Sequence, residues 1–280
     1  MTDTAPRIED RLLPLGKRSL HIHRGGTKTA LPTIVLEAGA GCILQTWAPL
    51  EEALAPHATL LSYERAGVGT SSGPVDSIGA EAVAQRLTTL LAATETKTPV
   101  LLVGHSVGGL YSRYFAATRP ELVAGLVILD ATPEDHPFPR FYSVKPTVLM
   151  WLIYAAARIG LLKRTKLSPA HLAAMARFRH IKSVLGEIAG LRQVQSEVAA
   201  TKLPKNLPVL ALSAALPTLE PQHQRDHFHA SHELIASTGS APHSRHQRIE
   251  GATHMSMLTD EQHAKTVAEL ILEFAKRIAV

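Results

Sequence analysis

The sequence predicts an α/β protein: a mostly parallel sheet with helices on both faces, broken by one helical insertion. Three observations carry this. Short apolar, β-branched runs recur at 33–37, 59–63, 100–103, 125–129 and 209–213, continuous enough to read as strands buried on both faces. Segments of helical spacing separate them, the alternation that a parallel sheet with crossover helices requires. From residue 135 to 205 the alternation stops and only helical patterns remain. Residues 1–134 and 206–280 are therefore expected to form one sheet domain, with 135–205 as a helical cap inserted in it.

Taken in order, residues 12–15 and 19–24 read as a hairpin turning at Gly16-Lys17. The run 33–37 (TIVLE) leads into Ala38-Gly39-Ala40-Gly41 and a helical pattern through Trp47, Leu50 and Leu54. The strand 59–63 ends in the loop ERAGVGTSSG, and residues 80–93 set Val83, Leu87, Leu90 and Leu91 at helical spacing. The strand 100–103 runs into Gly104-His105-Ser106-Val107-Gly108 and a following helix, and 125–129 delivers Asp130. Within the insertion, 146–162, 168–180 and 182–200 are expected to be helices. The alternation resumes with a strand at 209–213, a helix within 220–237, a strand near 247–250 and a closing helix at 260–278.

Ligands of such sheets bind outside the carboxyl ends of the strands, so the loops after residues 37, 103 and 129 should converge. Gly104 and Gly108 flank Ser106 where a side chain would collide with a tight strand-to-helix turn. A serine held there faces a crevice, beside a helix N-terminus, and is posed as a nucleophile. It needs a base to take its proton and an acid to fix that base. His254, between the last strand and the last helix, leaves the same sheet edge and is the expected base; His105 is expected to be structural. Asp130 is the leading candidate for the acid, with Glu220 and Asp226 as alternatives. The amides of Val107 and Ala40 are the expected oxyanion donors. The histidines of HQRDHFHASH place His223 and His227 at i, i+4, but Gln224 stands where a zinc protease carries glutamate. They are expected to be exposed helix residues rather than a metal site.

Three motifs in order, LEAGAG, YERAGVGTSS and VGHSVGGLYSRYFA, closed by the histidine of GATHM, make the chain resemble the α/β-hydrolase family. The resemblance covers 33–130 and 207–280 and leaves out the cap, which in that family governs substrate choice. It implies a Ser106 nucleophile, a His254 base, an oxyanion hole at Ala40 and Val107, and no metal or organic cofactor. It disfavours epoxide hydrolase and dehalogenase chemistry, which uses aspartate where Ser106 stands. Two positions depart from the family: Ala38-Gly39 replaces the usual His-Gly, and the usual aspartate after the penultimate strand is missing, which shifts the acid to Asp130.

The charge is uneven. Residues 131–205 hold twelve Lys and Arg against four Asp and Glu, whereas 1–130 hold eleven against twelve and 206–280 six against eight. Neither a recognition helix nor stacking aromatics accompany that excess, so nucleic-acid binding is not expected. In the cap, 147–157 is apolar all round, shorter than the ~18 residues of a spanning helix and flanked by Lys145, Lys163, Arg164 and Lys166. It reads as a buried cap helix, or as a lid or peripheral membrane surface. One cysteine, Cys42, and a polar start without a secretory pattern suit a cytoplasmic protein. The expected activity is hydrolysis of a small-molecule carboxylic ester or thioester with an apolar acyl group. Carbon–carbon or amide hydrolysis by the same residues, or a catalytically silent binding protein, are the alternatives.

Overall fold

The computed structural model describes residues 7–73, 79–135, 145–165, 167–218, 220–239 and 243–279. It folds the apolar runs into one sheet made of β1 (Ile8–Leu15), β2 (Arg18–Gly26), β3 (Ile34–Glu37), β4 (Thr59–Tyr63), β5 (Val100–His105), β6 (Val123–Leu129), β7 (Val209–Ala214) and β8 (Arg245–Ile249). Their spatial order is β1-β2-β4-β3-β5-β6-β7-β8. The β1–β2 and β2–β4 pairs are antiparallel, and every pair from β4 to β8 is parallel.

Helices cover both faces: α1 (Ala48–Leu54), α2 (Ala80–Ala93), α3 (Val107–Thr118), α4 (Lys145–Arg158), α5 (Pro169–Met175), α6 (Phe178–Ala199), α7 (Gln222–Thr238), α8 (Ser256–Thr259) and α9 (Glu261–Ile278). Side chains alternate across a strand. Ile34, Leu36, Leu101 and Val103 therefore pack with Trp47, Leu50, Ile271 and Phe274 on one face. Val35, Leu61, Leu102 and Ile128 pack with Leu87, Phe115 and Ile235 on the other. Each such side chain contributes about 1.5–3 kcal/mol by leaving water, which explains why β3, β5 and β7 carry no polar-out alternation.

The hairpin edge is pinned by ions. On β2, Leu20 and Ile22 enter the core while His21 and His23 point to the opposite face. His23 Nδ1 lies 2.8 Å from Glu51 Oε2 of α1, and His21 Nδ1 lies 3.2 Å from Glu64 Oε2. Both imidazoles also meet Asp10 of β1, at 2.5 Å for His21 and 3.5 Å for His23.

Between β6 and β7 the chain runs through α4, α5 and α6, and α6 lays Leu191, Val194 and Val198 on Val107, Leu110 and Tyr111 of α3. Two expected boundaries move. The helix expected over 146–162 ends at Arg158, because Gly160 takes a left-handed conformation (φ 75°) and starts a 3₁₀ turn over Leu161–Arg164. The break expected after 180 lies instead at Ala176-Arg177, where Arg177 is extended. No breaker residue marks that point. Ala174 packs on Ile43 and Val68, while His180 accepts a hydrogen bond from Gly69 N–H at 3.1 Å, so both helix ends dock separately on the core.

Candidate active site

The turn from β5 to α3 holds Ser106 at φ 56° and ψ −125°, a conformation costing a non-glycine residue about 1–3 kcal/mol. Surrounding hydrogen bonds impose it. Ser106 N–H donates to the Leu129 carbonyl at 3.2 Å, and its own carbonyl accepts from Gly109 and Thr132 N–H, each at 3.0 Å. A Cβ on Gly104 would meet Ser112 Oγ and the Gly108 carbonyl at 2.5 Å, and one on Gly108 would strike the carbonyls of Glu37 and Ala38. Both glycines are thus required by close backbone approach.

His254 lies in the loop after β8, and its Nδ1 is 2.7 Å from Asp130 Oδ2. Its ring lies over that of His105, with centroids 4.5 Å apart and planes tilted by 35°. His105 Nε2–H donates to the His254 carbonyl at 3.0 Å. The residue preceding Ser106 therefore anchors the loop carrying His254. Burial pushes His105 down to about 3, so it is a neutral ring with a fixed tautomer, a structural part as expected.

Asp130 is fully buried at the end of β6, at φ 42°. Its Oδ1 accepts from Ala214 N–H at 3.1 Å and from Arg225 Nη1 at 2.5 Å. Burial alone would raise this carboxyl, but the hydrogen bond to His254 and the neighbouring cations hold it well below the usual carboxylate range. Neither alternative acid reaches His254. Glu220 is taken up by the Arg225 guanidinium, whose Nε donates to it at 2.8 Å, and Asp226 is exposed and bonded to Gln222.

Ala40 follows β3 and Val107 opens α3; among the described residues neither amide has a hydrogen-bond acceptor. The loop carrying Ala40 is held by a buried cluster that the sequence reading did not single out. Arg65 donates to the carbonyls of Ala38 (2.5 Å) and Gly39 (2.8 Å), to Glu37 (2.7 Å) and, through Nε, to Glu187 of α6 (2.6 Å). Glu187 Oε2 then accepts from Gly41 N–H at 2.9 Å, and Tyr63 donates to Glu37. Burial raises Glu37, whereas the two facing carboxylates outweigh burial at Arg65 and hold its guanidinium charged. The available signal was a glutamate closing an otherwise apolar strand. Cys42, in the same loop, has its thiol pushed up to about 11 by burial, which leaves it a poor nucleophile beside Ser106.

The histidines of α7 correct one expectation. His223 is exposed and His227 meets Asp135 at 3.0 Å, but His229 and His232 are buried against β7. Hydrogen bonds make that burial tolerable. His232 donates to the Ala131 carbonyl (2.7 Å) and its Nδ1 faces Ser213 Oγ (2.6 Å), while His229 donates to the Ala214 carbonyl (2.9 Å).

A sheet of this order with a strained serine at the end of β5 and a histidine–carboxylate pair on the neighbouring loops defines a class, and sequence comparison agrees with it. The profile of the alpha/beta hydrolase fold matches residues 32–180. The pimeloyl-[acyl-carrier protein] methyl ester esterase of Xanthomonas oryzae pv. oryzae is 30% identical over 259 residues, covering 88% of this chain and 96% of that protein. The uncharacterized protein YqjL of Bacillus subtilis is 34% identical over 113 residues; the chain spans 44% of its length. A solved hydrolase from Pseudomonas aeruginosa superposes with a TM-score of 0.68 at 20% identity, over 95% of this chain and 97% of that one. The chain belongs to the alpha/beta hydrolase fold family.

Proposed function

We propose that the chain is a serine hydrolase cleaving a carboxylic ester or thioester through an acyl-enzyme on Ser106. The observation that carries this is the 2.7 Å contact between His254 Nδ1 and the buried, ionised Asp130, on a loop bonded to the residue before Ser106. Asp130 takes the Nδ1 proton of His254 as a hydrogen bond and so leaves Nε2 free to accept one. Nε2 removes the Ser106 hydroxyl proton as Oγ attacks the acyl carbon. The oxyanion gathers hydrogen bonds from the Ala40 and Val107 amides, and losing one such donor costs roughly 3–4 kcal/mol. His254 returns the proton to the leaving oxygen or sulfur, and water then releases the acid by the same steps. The match to a methyl ester esterase over nearly its whole length favours an ester. Helix α6, packed on α3 and touching the loop of Ala40 through Val184 and Glu187, acts as the cap and shapes an apolar acyl pocket.

A fluorophosphonate probe and a panel of p-nitrophenyl esters of graded acyl length test this. Ser106 should be the labelled residue, and Ser106→Ala should lower kcat by about 10⁴–10⁶. Absence of labelling, or an alanine variant keeping a tenth of the activity, overturns the assignment.

A further inference from the structure

From residue 145 to 186 the sequence has eight Lys and Arg and no Asp or Glu. Inside that stretch α4 is almost wholly apolar between its ends, yet none of its described side chains is buried. Val148, Leu149 and Leu152 are 54, 57 and 61% exposed, and Ile159 and Leu161 beyond the helix reach 79 and 68%. Residues 148, 152, 155 and 159 follow one another at three- and four-residue steps, which is a single stripe along the helix. Phe178, at the start of α6, is also exposed and extends the stripe through its ring contact with Trp151 (centroids 5.3 Å apart). Single exposed leucines are ordinary, but a contiguous stripe marks a contact surface.

Its border indicates what it contacts. Arg158, Lys163, Arg164, Arg179 and Lys182 are exposed around it, and among the described residues none of the five has a carboxylate partner. No described helix is long and apolar enough to cross a membrane. An apolar stripe with aromatic rings and unpaired cations at its edge, on a helix too short to span, has the character of an element lying flat in a lipid headgroup layer. We infer that the face formed by α4, the turn after it and the start of α6 docks on an anionic bilayer surface. The same α6 presents Val184 and Glu187 to the loop of Ala40, so the docked face and the proposed oxyanion site share one rigid element. Docking does not depend on Ser106 chemistry and stands or falls separately from it.

The test uses the full chain carrying Ser106→Ala, sedimented with vesicles of phosphatidylcholine alone or of equal phosphatidylcholine and phosphatidylglycerol. It should sediment with the anionic vesicles and be released by salt. Replacing Lys163 and Arg164 by Gln should weaken that partition about 30-fold, taking ~1 kcal/mol per basic residue near an anionic surface. Leu149→Ser, Leu152→Ser and Ile159→Ser together should abolish it, with circular dichroism unchanged and, in the Ser106 background, unaltered turnover of a short soluble ester. Equal binding to both vesicle types, no binding to either, or full binding by the triple serine variant overturns the inference. So does a dimer lost on those three substitutions without any vesicle binding, which would make the face a contact between copies of this chain.

Discussion

Two residues with positive φ, Ser106 and Asp130, directly follow adjacent parallel strands and so leave the same edge of the sheet. Asp130 has two obligations there, one oxygen for His254 and one for Arg225. Asp130→Asn should therefore show two separable losses. Turnover should fall roughly 10³–10⁴-fold as His254 loses its orienting anion, and stability should fall by roughly 1–3 kcal/mol as buried Arg225 keeps Glu220 but loses its charge-assisted bond to Asp130. Ester kinetics read the first and denaturant unfolding the second, and an active Asp130→Asn protein alongside an inactive Glu220→Gln would relocate the acid. Buried histidines make a second prediction. Burial lowers His232 to about 4 from its ordinary 6.5, so the folded chain binds fewer protons there than the unfolded one. Its contribution to stability is present above pH 6.5 and is lost as pH falls toward 4. His21 and His23, raised by their carboxylates against the pull of burial, act oppositely, losing their contribution as pH rises through their folded values. The His232→Gln protein should accordingly lose stability less steeply between pH 6.5 and 4, by up to ~1.4 kcal/mol per pH unit. Parallel pH profiles for the two proteins would show that His232 is not held neutral.

At the scale of elements, the loop after β3 is clamped from two sides, by Arg65 within the sheet domain and by Glu187 from α6. Glu187→Gln keeps the size and one acceptor but weakens the charge-assisted bonds to Arg65 and Gly41. Ala40 is proposed to act only as charge develops on the substrate oxygen, and an interaction made only then appears in kcat rather than KM. Glu187→Gln should lower kcat by about 10–100-fold with KM nearly unchanged, at a stability cost of roughly 1–3 kcal/mol. A matching rise in KM with kcat intact would make Glu187 a substrate-pocket residue instead. This clamp also shows where sequence reading stops. The strands, most helices, and the positions of Ser106, His254 and Asp130 were legible, because each follows from local periodicity or from which sheet edge a loop leaves. The Glu37–Arg65–Glu187 cluster was not, because it joins residues 37, 65 and 187 through a packing arrangement that no local pattern encodes. The same holds for the α5–α6 break, set by docking on Ile43, Val68 and Gly69 rather than by a glycine or proline, and for buried His229 and His232, whose sequence reads as solvated helix.

For the molecule as a whole, charge is segregated: residues 131–205 hold twelve Lys and Arg against four Asp and Glu, and the remainder holds seventeen against twenty. Helix α6 of that basic segment packs on α3, the helix that Ser106 precedes, so the segment's field is expected to act on what approaches the proposed site. A field of this kind raises the local concentration of anions and falls away with added salt, being screened over about 8 Å at physiological ionic strength. Two soluble p-nitrophenyl esters of equal length separate this from simple apolar binding, one ending in a methyl group and one in a carboxylate. Raising the salt should increase KM for the carboxylate-ended ester and leave its kcat in place, because the cations attract the substrate without entering the chemistry. The methyl-ended ester should show no such rise. Neutralising Lys163 and Arg164 should reproduce the salt effect at low ionic strength, whereas equal salt responses for the two esters would confine the basic surface to a role away from the substrate.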